Sequence, residues 1–312
     1  MSCDNNNVNI SEKDARIDWR TLSKQENDSA YSPSQWSRVL KPQDAVANFI
    51  QVINNKSDAA RAAIKNCEFD VPYGESEREK VEILKPDNPA EDAPVVVFFH
   101  GGVWQLLSKE EHSLAAPPLV KHGAIMVSVG YSLAPQASLS TIVGQCEKAV
   151  AFVAKRFPKS SAFYTSGHSA GGHLAAMMVS VDWTKYQLPA NLIKGSCPFC
   201  GIFDVRPFVN TYMNDALKLT LDEAWELSPI NLIQKACKYS PDTKMYVVYG
   251  DHDSPAYRQM STDYSKMLIK AGMSCQSKQV TDADHFEVMQ NLSDENNEGT
   301  QMLLEMMSLK TN

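Results

Sequence analysis

Gly167-His168-Ser169-Ala170-Gly171-Gly172 lies between the short apolar run Ala162–Ser166 and the apolar stretch His173–Val179. The pattern G-x-S-x-G between a strand and a helix is a nucleophile elbow: a sharp turn that pushes the serine hydroxyl out at the top of a parallel sheet. The flanking glycines are needed because side chains there would collide with the neighbouring chain. The alternative, a glycine-rich turn with an incidental serine, predicts no partner residues elsewhere in the chain.

Two further segments supply such partners. Pro94–Phe99 is a continuous apolar run, as expected for a central parallel strand buried on both faces. It ends in His100-Gly101-Gly102-Val103-Trp104. Glycines directly after a strand end let backbone N–H groups point into an open site. The candidate oxyanion donors are the N–H groups of Gly102, Val103 and Ala170, and such donors typically contribute about 3–4 kcal/mol each. Further on, Met245–Gly250 delivers Asp251-His252-Asp253-Ser254-Pro255, and the strand candidate Cys275–Val280 leads to Asp282-Ala283-Asp284-His285-Phe286. The order Ser, Asp, His suits a general base at His285 held in one tautomer by a carboxylate. Asp253 and Asp251 compete for that role, since both cannot point at His285 from one extended segment. Asp253 is favoured and Asp251 is the alternative.

These motifs carry a resemblance. The chain resembles the arylformamidases, the kynurenine formamidases of the animal type within the α/β-hydrolase superfamily. The matching stretches are His100–Gln105, Tyr131-Ser132-Leu133-Ala134-Pro135, Gly167–Met178, Val181-Asp182-Trp183-Thr184, Gly250–Pro255 and Asp284–Glu287. The likeness runs from about residue 18 to the C-terminus. It implies Ser169, Asp253 and His285 as catalytic residues, the acid being the aspartate before Ser-Pro. It also implies deformylation of N-formyl-L-kynurenine to L-kynurenine and formate in tryptophan catabolism. A carboxylesterase for short acyl groups would use the same machinery and is the alternative. The family usually has Tyr in the HGGYW loop where this chain has Val103, so a side chain at the pocket mouth is missing while the backbone donor is retained. Trp104 and Tyr131, on strand-end loops, are candidate substrate-binding walls or else packed core.

Composition bounds the remaining readings. The 312 residues suit one large α/β domain with a mostly parallel sheet and helices on both faces. Residues 1–16 read as an Asn-rich disordered tail, 17–312 as a single domain, and 202–232 as a helical insertion near the site. A net charge of −7 with no basic tract opposes nucleic-acid binding. No apolar run approaches the ~18 residues of a membrane span, and Met1–Asn9 lacks the features of a secretion signal, so a cytoplasmic enzyme is expected. The seven cysteines, scattered and odd in number, fit a reducing compartment, and Cys197-Pro198-Phe199-Cys200 reads as structural. The sequons at Asn9, Asn27, Asn55 and Asn291 then stay unmodified. No cofactor is expected. Asp251, His252, Asp253, Asp284, His285 and Glu287 could be drawn into a metal site, but their spacing matches no metallohydrolase motif, so no metal is expected. A small-molecule substrate is the expected partner, and a homodimer is left open.

Among the elements, Asp44 is a candidate N-cap for a helix burying Ala45, Val46, Phe49, Ile50 and Ile53. Cys67–Val71 and Lys80–Leu84 read as a hairpin, 110–122 as a helix, and 124–129 as a strand. Ile142–Phe157 reads as an amphipathic helix, Ile193–Phe199 as a strand weakened at its end by Pro198, and 256–270 and 291–309 as helices. Asp18–Ser37 is expected to pack over the domain without entering its core.

Overall fold

The structure is a computed structural model that describes residues 16–309. Of the expected tail, 1–15 lies outside the described residues. Arg16 is described and pairs with Asp263 at 2.6 Å.

Eight strands form one sheet among the described residues: β1 (Cys67–Pro72), β2 (Lys80–Leu84), β3 (Val95–Phe99), β4 (Ile125–Val129), β5 (Phe163–His168), β6 (Ile193–Phe199), β7 (Lys244–Gly250) and β8 (Cys275–Val280). Their order is β1-β2-β4-β3-β5-β6-β7-β8. The β1–β2 hairpin is antiparallel and joins β4 antiparallel; every other pairing is parallel. All five residues of β3 are wholly buried because helices cover both faces. Val95, Val97 and Phe99 enter one core cluster and Val96 and Phe98 the other, as the two-residue period of a strand requires.

The helices are α1 (Lys24–Ala30), α2 (Pro42–Ala63), α3 (Ala116–Lys121), α4 (Leu139–Arg156), α5 (Ala170–Met178), α6 (Asn214–Leu217), α7 (Leu221–Glu226), α8 (Ile233–Tyr239), α9 (Pro255–Lys270), α10 (His285–Gln290) and α11 (Glu298–Met306). α4, α5 and α9 bury their apolar faces on one side of the sheet, and α2, α3, α10 and α11 on the other. This is an α/β-hydrolase arrangement. Residues 202–232 carry short helical turns, α6 and α7, and no strand.

Five local expectations need correction. α2 starts three residues earlier than an N-cap at Asp44 implied, because Pro42 at the first helical turn has no N–H to lose and a φ already suited to a helix. Val46 on that helix is 39% exposed, so the buried stripe runs Ala45, Phe49, Ile53, Ser57 and Ala60 instead. The helix expected over 110–122 is broken: a tight turn spans Glu110–Ala115 and α3 begins afterwards, since Pro117 and Pro118 cannot donate to the preceding turn. The segment 18–37 does enter the core. It contains α1, closed by a capping box of Ser23 and Glu26, and buries Ala30 and Tyr31. Similarly, 291–309 is a short turn followed by α11 and not one helix.

The sheet positions the site by register. Phe99 pairs with Gly167, and Gly167 with Pro198. The loops after β3, β5 and β6 therefore leave the sheet side by side at its C-terminal edge, where α/β sheets place their ligands. Pro198 does not end β6 early. The strand continues to Phe199, whose carbonyl accepts the Ser169 N–H at 2.8 Å and so holds the elbow.

Candidate active site

Ser169 sits between β5 and α5 with φ 57° and ψ −117°, a backbone conformation that a non-glycine residue adopts only under tertiary constraint. The turn is so close that a Cβ on Gly171 would lie 2.0 Å from the Phe99 carbonyl oxygen. Glycine is therefore a steric requirement there. Ser169 is 5% exposed, and the hydroxyl works in a nearly closed site.

The loop after β3 is strained in the same way. Gly102, Val103 and Trp104 have φ of 101°, 53° and 57°. A left-handed conformation is a genuine outlier for a β-branched residue such as Val103. Its consequence is that the N–H groups of Gly102 and Val103, like that of Ala170 at the start of α5, make no hydrogen bond within the described residues. They are available to an incoming oxyanion.

Neighbours hold this loop from below. The His100 ring stacks on Tyr131 at 3.9 Å and 3°, while the Tyr131 hydroxyl donates to the His100 carbonyl at 2.6 Å. Tyr131 thus makes its contacts with the loop itself. His112 Nε2 accepts the Gly101 N–H at 3.2 Å. Trp104 is wholly buried, edge-on to His173 at 5.0 Å and to Phe208 at 6.2 Å, and its indole N–H has no partner among the described residues.

His285 is the first residue of α10. The cap residue Asp284 accepts the Phe286 and Glu287 N–H groups at 2.9 Å each, which fixes where His285 leaves the backbone. Its Nδ1 lies 2.9 Å from Asp253 Oδ2, and both side chains are buried. Asp253 Oδ1 is taken by the Ser254 N–H at 2.7 Å, so the carboxylate has one orientation. Asp251 does not meet His285. Its two oxygens accept the Asp282 and Ala283 N–H groups at 3.0 Å each, clamping the histidine loop to the aspartate loop. The acidic residues drawn on for a metal reading thus have structural duties: Asp284 caps α10, and Glu287 pairs with Arg38 at 2.9 Å.

Reading the sequence missed four residues here. Phe208, from the insertion, meets Tyr31 at 5.4 Å, Trp104 at 6.2 Å and Tyr257 at 6.4 Å, a buried aromatic cluster that reaches His285 through Tyr257. Tyr257, on the first turn of α9, lies edge-on to His285 at 4.8 Å. His112 and His168 support the loops, the latter through its Nε2, 2.8 Å from the His285 carbonyl oxygen. No short motif contains Phe208, Tyr257 or His112, and His168 fills the variable position of the elbow motif.

Buried imidazoles stay neutral in this arrangement. Burial pushes His112 down to about 3 and His173 down to about 4, and it holds His100 and His168 well below the ordinary value as well. In the unfolded chain each takes up a proton near pH 6.5. Between these values the unfolded state binds more protons, so stability present above pH 6.5 is lost as the pH falls toward 4. The thermal midpoint should drop over that window. His173→Gln, which can still donate to the Leu227 carbonyl 2.7 Å from His173 Nε2, should reduce the slope by roughly 1.4 kcal/mol per pH unit. A midpoint that is flat from pH 7 to 4 would contradict the burial argument.

Chemically, a hydroxyl at a strained elbow, a carboxylate-held imidazole and three open N–H groups make an acyl-transfer site. Comparison with known proteins agrees. Residues 81–268 match the BD-FAE family. The chain is 38% identical to kynurenine formamidase of Danio rerio over 93% of its own length and 98% of the relative's. The chain belongs to the kynurenine formamidase family. The Salmo salar member is 37% identical over the same shares of each chain. A crystal structure of a candidate thioesterase from a Silicibacter species superposes with TM-score 0.74 at 25% identity, covering 91% of this chain and 99% of that one. Like its family, the chain is an α/β-hydrolase and a hydrolytic enzyme. No helix among the described residues is long and apolar enough to cross a membrane.

Proposed function

We propose that the protein hydrolyses the formyl amide of N-formyl-L-kynurenine, releasing formate and L-kynurenine. The observation that carries this reading is the carboxylate-held His285 beside the Ser169 elbow and an aromatic cluster, in a chain that spans 98% of a relative named for this activity. Ser169 Oγ attacks the formyl carbon as its proton passes to His285. The oxyanion rests on the N–H groups of Gly102, Val103 and Ala170. His285 returns the proton to the aniline nitrogen, which departs. Water, activated by the same imidazole, then releases formate from the acylated serine. These steps use no cofactor.

The geometry supports the substrate on both of its sides. A formyl group has no side chain and suits a nearly closed nucleophile. The leaving group is a substituted aryl ring, and the buried cluster of Phe208, Tyr31, Trp104 and Tyr257 next to His285 gives it apolar aromatic surroundings. A site that uses the kynurenine moiety to position the formyl carbon converts remote binding energy into rate. N-formyl-L-kynurenine should therefore exceed p-nitrophenyl acetate in kcat/KM by at least roughly 10–100-fold, about 1.4–2.7 kcal/mol. Equal efficiency on the short ester would replace this reading with a carboxylesterase. We infer a cytoplasmic enzyme. The six described cysteines are all free thiols, which supports a reducing compartment.

A further inference from the structure

Tyr257 is wholly buried, yet its hydroxyl has no hydrogen-bond partner among the described residues. Folding leaves a buried polar group unpaired at a cost, and such groups mark positions where a ligand supplies the partner. The placement is specific. Ser254 Oγ accepts the Tyr257 N–H at 3.1 Å, fixing the residue one turn after Asp253. The ring stands edge-on to His285 at 4.8 Å and 76°, and to Phe208 at 6.4 Å and 89°. The hydroxyl comes within reach of the Ser169 side chain without closing a hydrogen bond to it. The oxyanion donors arise from the loop after β3 and from α5. Tyr257 arises from the first turn of α9, directly after the loop that carries Asp253, and packs on His285. It therefore stands on the imidazole side of the serine, where the leaving group receives its proton.

Resting on the amide-hydrolase reading above, we infer that the Tyr257 hydroxyl oxygen accepts a hydrogen bond from the scissile N–H as the leaving nitrogen turns its lone pair toward His285, and that this makes the site an amidase more than an esterase. In the tetrahedral adduct the nitrogen must present its lone pair to the imidazolium, which swings the N–H aside. An ester oxygen carries no hydrogen and gains nothing from an acceptor there. The protons balance: the Ser169 proton travels through His285 to nitrogen, the original N–H stays on nitrogen, and the arylamine leaves as NH2. Burial, followed by the Asp253 carboxylate, pushes the phenol well above its ordinary value, so Tyr257 keeps its own proton and accepts through a lone pair.

The test compares Tyr257→Phe with the wild type on formanilide and phenyl formate, which differ only in a bridging NH or O. Phenylalanine keeps the ring against His285, and an unchanged thermal midpoint checks that packing. The ratio of kcat/KM for formanilide over phenyl formate should fall by about 10–100-fold in the variant, the effect of one hydrogen bond made in the transition state. An unchanged ratio, whether both rates fall or neither does, overturns the inference. Wild-type turnover of N-formyl-L-kynurenine is measured alongside. If the wild type ignores that compound while the ratio falls as expected, the substrate reading fails and the role of Tyr257 stands. If the wild type deformylates it and the ratio does not move, the reverse holds.

Discussion

Ser169→Ala should fold as the wild type does and lose about three to six orders of magnitude in turnover, the range found when one member of a catalytic unit is removed. The substitution deletes only the hydroxyl. The elbow keeps its φ of 57°, because the constraint comes from the Ser169 N–H bond to Phe199 and from the close approach of Gly171 to Phe99, neither of which involves the side chain. Residual turnover should come from the open N–H groups and from binding alone. An organophosphate should label Ser169 in the wild type and leave the variant unmodified. Substantial hydrolysis by the variant, with its thermal midpoint unchanged, would remove Ser169 from the mechanism.

Asp253→Asn should cost on the order of ten-thousand-fold in kcat with little loss of stability. Its Oδ2 meets His285 Nδ1 at 2.9 Å, and an amide in that place favours the wrong imidazole tautomer. Asp251→Asn should show the opposite profile. Its two carboxylate oxygens accept two backbone N–H groups, and asparagine offers only one acceptor atom. Losing one such bond should lower stability by about 1–3 kcal/mol, while the rate falls far less than in Asp253→Asn. Measured kcat and thermal midpoint for the two variants separate the roles. A large rate loss confined to Asp251→Asn would reassign the orienting carboxylate.

The two aspartates show where sequence reading stops. They stand two residues apart in the same loop, and favouring Asp253 rested on spacing and on likeness to a family. What distinguishes them physically is the path of a second loop, 281–285, which brings two backbone donors to Asp251 and a ring nitrogen to Asp253. Tyr131 shows the same limit from the other side. As a strand-end aromatic it could line the pocket or support the loop, and the stack on His100 at 3.9 Å decides its contacts.

By itself the sequence determined the elements whose cause is local. Apolar runs made β3, β4 and β7 strands with buried faces, and glycines with no room for a Cβ marked the elbow after β5. Strand–helix alternation gave a parallel sheet, and the register of such a sheet brings the ends of β3, β5 and β6 together. Tertiary structure alone decided everything that depends on residues far apart in the chain. The buried cluster of Tyr31, Trp104, Phe208 and Tyr257 draws on the C-cap of α1, the loop after β3, the insertion and α9, none of which encodes its partner. The neutrality of His112 and His168 and the orphaned Tyr257 hydroxyl likewise follow from burial. Burial is set by the packing of several elements at once, so no window of the sequence contains it.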